Sequence, residues 1–300
     1  ENAVLVASTG VIGMQLPMDR LKKGISLLKE AKGSTPEHGT AASKAIMTTD
    51  TVNKEIAVQV ELGRKTVTVG GMCKGAGMIM PNMATMIAVI TTDVPIAAPD
   101  LSQALTAAVS KSFNKVTVDS DTSTNDTCFA LASGPAAPDG PAFAPGTPAF
   151  DAFQRALDQL ATTLARKMAA DGEGATRLIT VTVRGAATAD DADAAARTVA
   201  NSPLVKTAVY GHDANWGRVA AALGRSGARF NQEDVDIDIL GLPVCRAGLV
   251  VDFDEEEALR RFEEPEVAIE VDLHAGEESA TMWTCDFSHE YVTINGDYRS

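Results

Sequence analysis

Two spacings of apolar residues run through this 300-residue chain. In "EIAVQVEL" Ile56, Val58, Val60 and Leu62 alternate with more polar neighbours, which predicts a strand covered on one face, and "LITVTVRG" repeats the pattern at residues 178–185. Helical spacing marks Met18, Leu21, Ile25 and Leu28, opened by Pro17, and again Phe150, Phe153, Leu157, Leu160, Leu164 and Met168, a long helix that should stop at "DGEG". Asp100 is placed to cap a helix carrying Leu101, Leu105, Ala108 and Val109. "VLVAS" (residues 4–8) reads as a buried strand ending in a Thr9-Gly10 turn, and "VDIDIL", "VAIEVDLH" and "YVTIN" read as further strands. "TADDADAAARTVA", "GRVAAAL" and "EEEALRRF" read as helices. With five prolines and three glycines, "SGPAAPDGPAFAPGTP" (residues 133–148) is a surface excursion.

Interspersed strands and helices predict an α/β class with mixed sheets and helices in layers. Two regions are expected: 1–187, and 188–300 starting at the acidic helix. The chain is 45% hydrophobic, enough to bury a core in each. A net charge of −14 works against a sequence-independent grip on nucleic-acid phosphate. Cys73, Cys128, Cys245 and Cys285 are dispersed without CxxC spacing, as in a cytoplasmic protein with reduced thiols. His38, His212, His274 and His289 form no HxH or HExxH pair, so no metal is expected, and no apolar run approaches membrane-spanning length. The chain opens without methionine, close to the apolar run "AVLVASTG", so an upstream segment is expected.

The stretch "KGAGMIMPNMATMIAVITTD" (residues 74–93) carries the candidate chemistry. It places Thr85, preceded by small Ala84, between a glycine-rich approach and an apolar run. A β-branched residue in a strand is the ordinary explanation. The reactive one is a nucleophile: a threonine hydroxyl needs a base, and an N-terminal threonine supplies its own α-amine, with an unperturbed pKa of roughly 8. Thr85 would reach that state if its hydroxyl attacked the Ala84 carbonyl, and water then released residues 1–84 from 85–300.

Together with "STGVIG", "AIMTTDT", "DTSTNDT", "DGEGATRLI", "NSPLVKTAVYGHDANWGR" and the ending "YVTINGDYRS", this stretch resembles the ornithine acetyltransferase (glutamate N-acetyltransferase) family, from Ser8 to the last residue and in family order. The resemblance implies a DmpA-like α/β fold, distinct from that of the N-terminal nucleophile hydrolases. It also implies self-cleavage before the threonine of "MATM", and two chains paired as α2β2. The activity implied is ping-pong transfer of acetyl from N-acetylornithine to glutamate through acetyl-Thr85, without metal or bound cofactor; some members also accept acetyl-CoA as donor. Thr9 and Gly10 match the oxyanion-hole pair, whose donors contribute about 3–4 kcal/mol each to such a reaction.

Thr48, Lys74, Thr85, Glu173, Asn295 and Ser300 match substrate-binding positions. Thr49 is close enough to be confused with Thr48, and Ser300 stands where members more often end in Thr. Lys74 suits the substrates' α-carboxylate and Glu173 the ornithine ammonium. Asn125, Asp126, Asn215 and Arg218 can shape a site but take no assigned role, and His212 and Trp216 are equally explained as structural. Two rivals stand beside this reading: an N-terminal nucleophile aminopeptidase or amidase that admits water, and a noncatalytic amino-acid-binding relative that never cuts itself.

Overall fold

The computed structural model describes residues 4–62, 65–80, 86–134 and 143–297. Helices α1 (Met18–Ala31) and α2 (Pro36–Ala45) lead into β1 (Lys54–Leu62) and β2 (Lys65–Lys74). Then come β3 (Ile87–Thr92), α3 (Ala98–Lys111), β4 (Thr127–Ala132) and α4 (Pro148–Ala170). The first sheet has the order β1-β2-β3-β4, antiparallel as far as β3 and parallel between β3 and β4. A parallel neighbour needs a long crossover, which α3 supplies. Alternation in β2 turns Val67, Val69 and Cys73 toward α4, where Phe153, Leu157, Leu160, Leu164 and Met168 are buried in the same cluster. Each such side chain contributes roughly 1.5–3 kcal/mol on burial. The residue after Cys73 falls on the opposite face, which aims Lys74 away from this core.

The rest of the chain builds a second sheet. Its elements are β5 (Leu178–Ala186), α5 (Ala189–Ala200), α6 (Pro203–Tyr210), α7 (Trp216–Gly224), β6 (Asp236–Ile239), β7 (Leu242–Arg246), β8 (Leu249–Val250), α8 (Glu255–Arg261), β9 (Glu266–Asp272), β10 (Glu278–Cys285) and α9 (His289–Asp297). The order is β10-β5-β9-β6-β7-β8, with only β5 and β9 parallel. Ala192, Ala195, Ala196 and Ala200 let α5 lie close to the sheet, over Ile179, Val181 and Val183. Thr188 starts that helix by accepting a hydrogen bond from the Asp191 amide at 3.1 Å. Because β5 precedes residue 188 and pairs with β9 and β10, this sheet spans the boundary expected there.

Several local expectations are corrected. Residues 4–8 form no strand and Val4, Leu5 and Val6 are exposed, because no neighbouring strand among the described residues offers them a ladder. Helix α1 forms, but none of its side chains is buried. Helix α3 begins at Ala98 with Ala97 as its N-cap, so Asp100 sits in the first turn rather than capping it. Of the proline-rich excursion, Phe143 is buried in the first core rather than lying at the surface. The largest change is at "YVTIN", which is helical within α9. Strand preference reflects packing on a pleated neighbour, and here none is present among the described residues. Instead the Ser288 hydroxyl accepts from the Glu290 amide at 3.1 Å and donates to the Gly174 carbonyl at 2.6 Å, anchoring the start of the helix.

Candidate active site

Three chain segments converge where β2 ends, and a buried ion cluster ties them together. Lys54 is fully buried; its ammonium meets Asp50 Oδ1 at 2.7 Å and Asp171 Oδ2 at 2.5 Å. Asp50 also accepts from the Gly75 amide at 2.7 Å and the Thr48 amide at 3.1 Å. Asp171 accepts from the backbone amides of Thr51 and Val52 and from the Thr51 hydroxyl. One lysine thus fixes the segment holding Thr48, the strand end holding Lys74 and the turn holding Glu173. Burial pushes the Asp50 carboxyl up, but Lys54 and the two amides outweigh it and hold the group below the usual carboxylate range.

Beyond Lys74 the glycine-rich approach is held in an unusual backbone. Ala76 and Met78 have φ of +93° and +56°, a region that costs an L-residue about 1–2 kcal/mol. Asp119 offsets this by accepting from the Met78 and Ile79 amides at 2.7 and 2.9 Å, and the Glu173 amide donates to the Ala76 carbonyl at 3.2 Å. At Gly77 a Cβ would lie 2.3 Å from Glu173 Oε2, so a side chain there would displace this carboxylate from its place beside the loop. Helix α9 closes the far side: Tyr291 and Asn295, one turn apart, reach Asp119 at 3.4 Å and Glu173 at 2.8 Å.

The cavity so formed holds about 230 Å³. Thr9, Gly10, Thr48, Lys74, Glu173 and Asn295 all line it, as does Thr49. Ala84, Thr85 and Ser300 lie outside the described residues; Met86 and Ile87, next in the chain after Thr85, border the cavity. Lys74 is buried, which pulls its ammonium below the usual lysine range against the opposing influence of Asp50, Asp126 and Glu173. Among the described residues no carboxylate comes within 4 Å of it, leaving its charge free for an anionic ligand. Glu173 is buried too, contrary to a solvated turn acid. Burial pushes the Cys73 and Cys128 thiols up to about 12, so neither supplies a thiolate nearby. No group of three His, Cys, Asp or Glu among the described residues is arranged to hold a metal ion.

The remaining candidates divide cleanly. Asp126, with Ser123, Thr124 and Asn125, lines the cavity. Asn215 instead caps α7 by accepting from the Arg218 amide at 3.1 Å, Arg218 donates to the Leu204 carbonyl at 2.7 Å, and His212 stacks on Phe262. Those roles are structural. Asp50 and Tyr291 fall within "AIMTTDT" and "YVTINGDYRS" but take no assigned role from them, and Lys54 and Asp119 lie outside every quoted motif; only the fold gives the four their partners.

Gly174 tests whether α9 completes the cavity. It has φ of +69°, and a Cβ there would stand 2.5 Å from the Tyr291 amide. Gly174→Ala should cost about 1–2 kcal/mol of stability and raise KM for the ligand by shifting Asn295. Thermal melts and steady-state kinetics measure both.

Comparison with known proteins finds relatives over nearly the whole chain. The chain matches the ArgJ family over residues 1–300. It is 53% identical over 295 residues to the arginine biosynthesis bifunctional protein ArgJ of Symbiobacterium thermophilum, covering 98% of this chain and 72% of that one. The protein of the same name from Geobacillus stearothermophilus is 47% identical over 297 residues, covering 99% and 72%. A crystal structure of the arginine biosynthesis bifunctional protein ArgJ from Bacillus halodurans superposes with a TM-score of 0.67 at 43% identity, over 70% of this chain and 98% of that one.

Proposed function

Since this chain belongs to the ArgJ family, we propose that it is an acyltransferase of arginine biosynthesis that moves acetyl from N-acetylornithine to glutamate through a Thr85 ester. The observation that carries this reading is one cavity that gathers Thr9, Gly10, Thr48, Lys74, Glu173 and Asn295 beside Met86, the residue after Thr85. Thr85 first attacks the Ala84 carbonyl, and water releases a new N-terminus at Thr85. The freed α-amine then takes the hydroxyl proton as Thr85 attacks the donor's acetyl carbonyl. Thr9 and Gly10 donate to the tetrahedral oxyanion, Lys74 receives the substrate α-carboxylate, and Glu173, with Asn295 and Ser300, receives the ornithine side chain. Glutamate collects the acetyl group, and water must be kept out until it does.

Geometry favours a cut chain that stays together. Strands β2 and β3 flank the cut and pair from Val69 with Thr92 to Lys74 with Ile87, so the ladder holds the two pieces after the link between them is gone. The pieces then pair as α2β2 in the cytoplasm; no described helix is long and apolar enough to cross a membrane.

The test incubates the purified protein with N-acetylornithine and glutamate while following N-acetylglutamate and chain masses. Transfer by pieces of residues 1–84 and 85–300 supports the reading. Acetate without transfer would favour a hydrolase, and an inert intact chain of 31.3 kDa a binding protein. An assay with acetyl-CoA and glutamate alone decides whether acetyl-CoA also serves as donor. Lys74→Ala should raise KM about 10- to 100-fold, the value of a charge-assisted contact, with a smaller effect on self-cleavage. Equal loss of both would remove Lys74 from substrate binding.

A further inference from the structure

The Thr85 reading leaves one proton unplaced. An amide donor leaves as an ammonium with three protons on nitrogen. One was on the amide and one comes from the Thr85 hydroxyl by way of the α-amine. The third must come from another group, which is left deprotonated until the acceptor, arriving as an ammonium, returns a proton to it.

We propose that Asp126 is that group, a catalytic residue that stores one proton between the two halves of the transfer. The inference rests on the Thr85 reading. Asp126 lines the cavity with Lys74, Glu173, Thr9 and Gly10. It directly precedes β4, whose first amide, that of Thr127, donates to the Met86 carbonyl at 2.6 Å, with Thr127 in register with Ile87. The backbone ladder therefore holds Asp126 beside the start of β3, which lies just past Thr85 in the chain. Its Oδ2 is buried and has no hydrogen-bond partner among the described residues. A buried carboxyl oxygen left without a partner is costly unless a ligand or a proton completes it.

In the donor half, neutral Asp126 gives its proton to the departing nitrogen as the C–N bond breaks and the C–Oγ bond to Thr85 forms, leaving a carboxylate and an ammonium. In the acceptor half, that carboxylate takes one proton from the incoming ammonium. The amine attacks the ester carbonyl, the C–Oγ bond breaks, and a second proton passes through the α-amine to Thr85. Asp126 ends neutral again. Its environment suits both states: burial pushes the carboxyl up to about 7, against the pull of the Ser123 hydroxyl and the Lys74 ammonium. Lys74, at the end of β2, is the charged group acting on it, and Lys74 in turn feels Asp50, Lys54 and Glu173.

Single-turnover acylation of the cut enzyme tests this with two donors. N-acetylornithine must leave with an added proton, whereas p-nitrophenyl acetate leaves as a phenolate and needs none. Asp126→Asn should slow acylation by N-acetylornithine about 10²- to 10⁴-fold and by p-nitrophenyl acetate at least about 30-fold less than that. Equal slowing of both, or no slowing of the amide, overturns the proposal. Wild-type enzyme gives an independent arm should the variant not fold. The titration of the α-amine is common to both donors, so the ratio of acylation by N-acetylornithine to acylation by the ester should fall as pH rises through about 7, and a ratio that does not change with pH overturns it. The mass of the 85–300 piece separates the two readings: without acetyl on it in wild type, the Thr85 reading fails first.

Discussion

Thr85→Ala protein should remain one chain of 31.3 kDa and lose acetyl transfer by about 10⁴-fold or more, because the same hydroxyl is asked to cut the backbone and to carry the acetyl group. Removing a nucleophile leaves only binding and oxyanion donors, which by themselves contribute a small part of the rate. Denaturing electrophoresis and product assay read the two effects on one sample. A cut, active variant would exclude Thr85 from both steps, and an uncut variant with full transfer would separate transfer from processing.

Lys54→Met should destabilise the fold by about 3–5 kcal/mol, since it leaves Asp50 and Asp171 buried with no cation between them. Urea denaturation in the uncut Thr85→Ala background, followed by the shift in midpoint, is the suitable measurement, because an uncut chain cannot separate into two pieces as it unfolds. A loss below about 1 kcal/mol would show that other groups hold this cluster. Acid offers a second handle. Asp50 has its folded value lowered, so its contribution to stability is complete above the ordinary carboxylate range and fades as pH falls through the folded value. In Lys54→Met that acid-dependent part should shrink. Because Asp50 also holds the amides of Thr48 and Gly75, the variant should weaken substrate binding as well.

Long periodic segments are legible as elements from their spacing. The helix through Phe153, Leu160 and Met168 and the strand at residues 179–183 bury the side their spacing marks, and the strand at residues 56–60 packs its marked side, half-buried, against the first core. The ending "YVTIN" is not legible, because its β-branched residues favour a strand only where a neighbouring strand exists, and the Ser288 hydroxyl, between the Glu290 amide and the Gly174 carbonyl, anchors a helix start instead. Substrate-site candidates follow from motif order rather than from spacing. No motif discloses that Lys54 and Asp171, 117 positions apart in the chain, meet at 2.5 Å with Asp50 on the other side of the same ammonium.

By itself, then, the order of residues determined which segments could hide an apolar face, the family, and which threonine follows the small alanine in "MATM". Tertiary structure decided the rest. It brought Thr9, Lys74, Glu173 and Asn295 to one cavity, left a carboxyl oxygen of Asp126 without a partner among the described residues there, and turned the "YVTIN" segment into a helix against Asp119. The reason is physical: apolar burial acts through local period and can be read along the chain. The field around a charge instead depends on what long-range packing places beside it after water has gone.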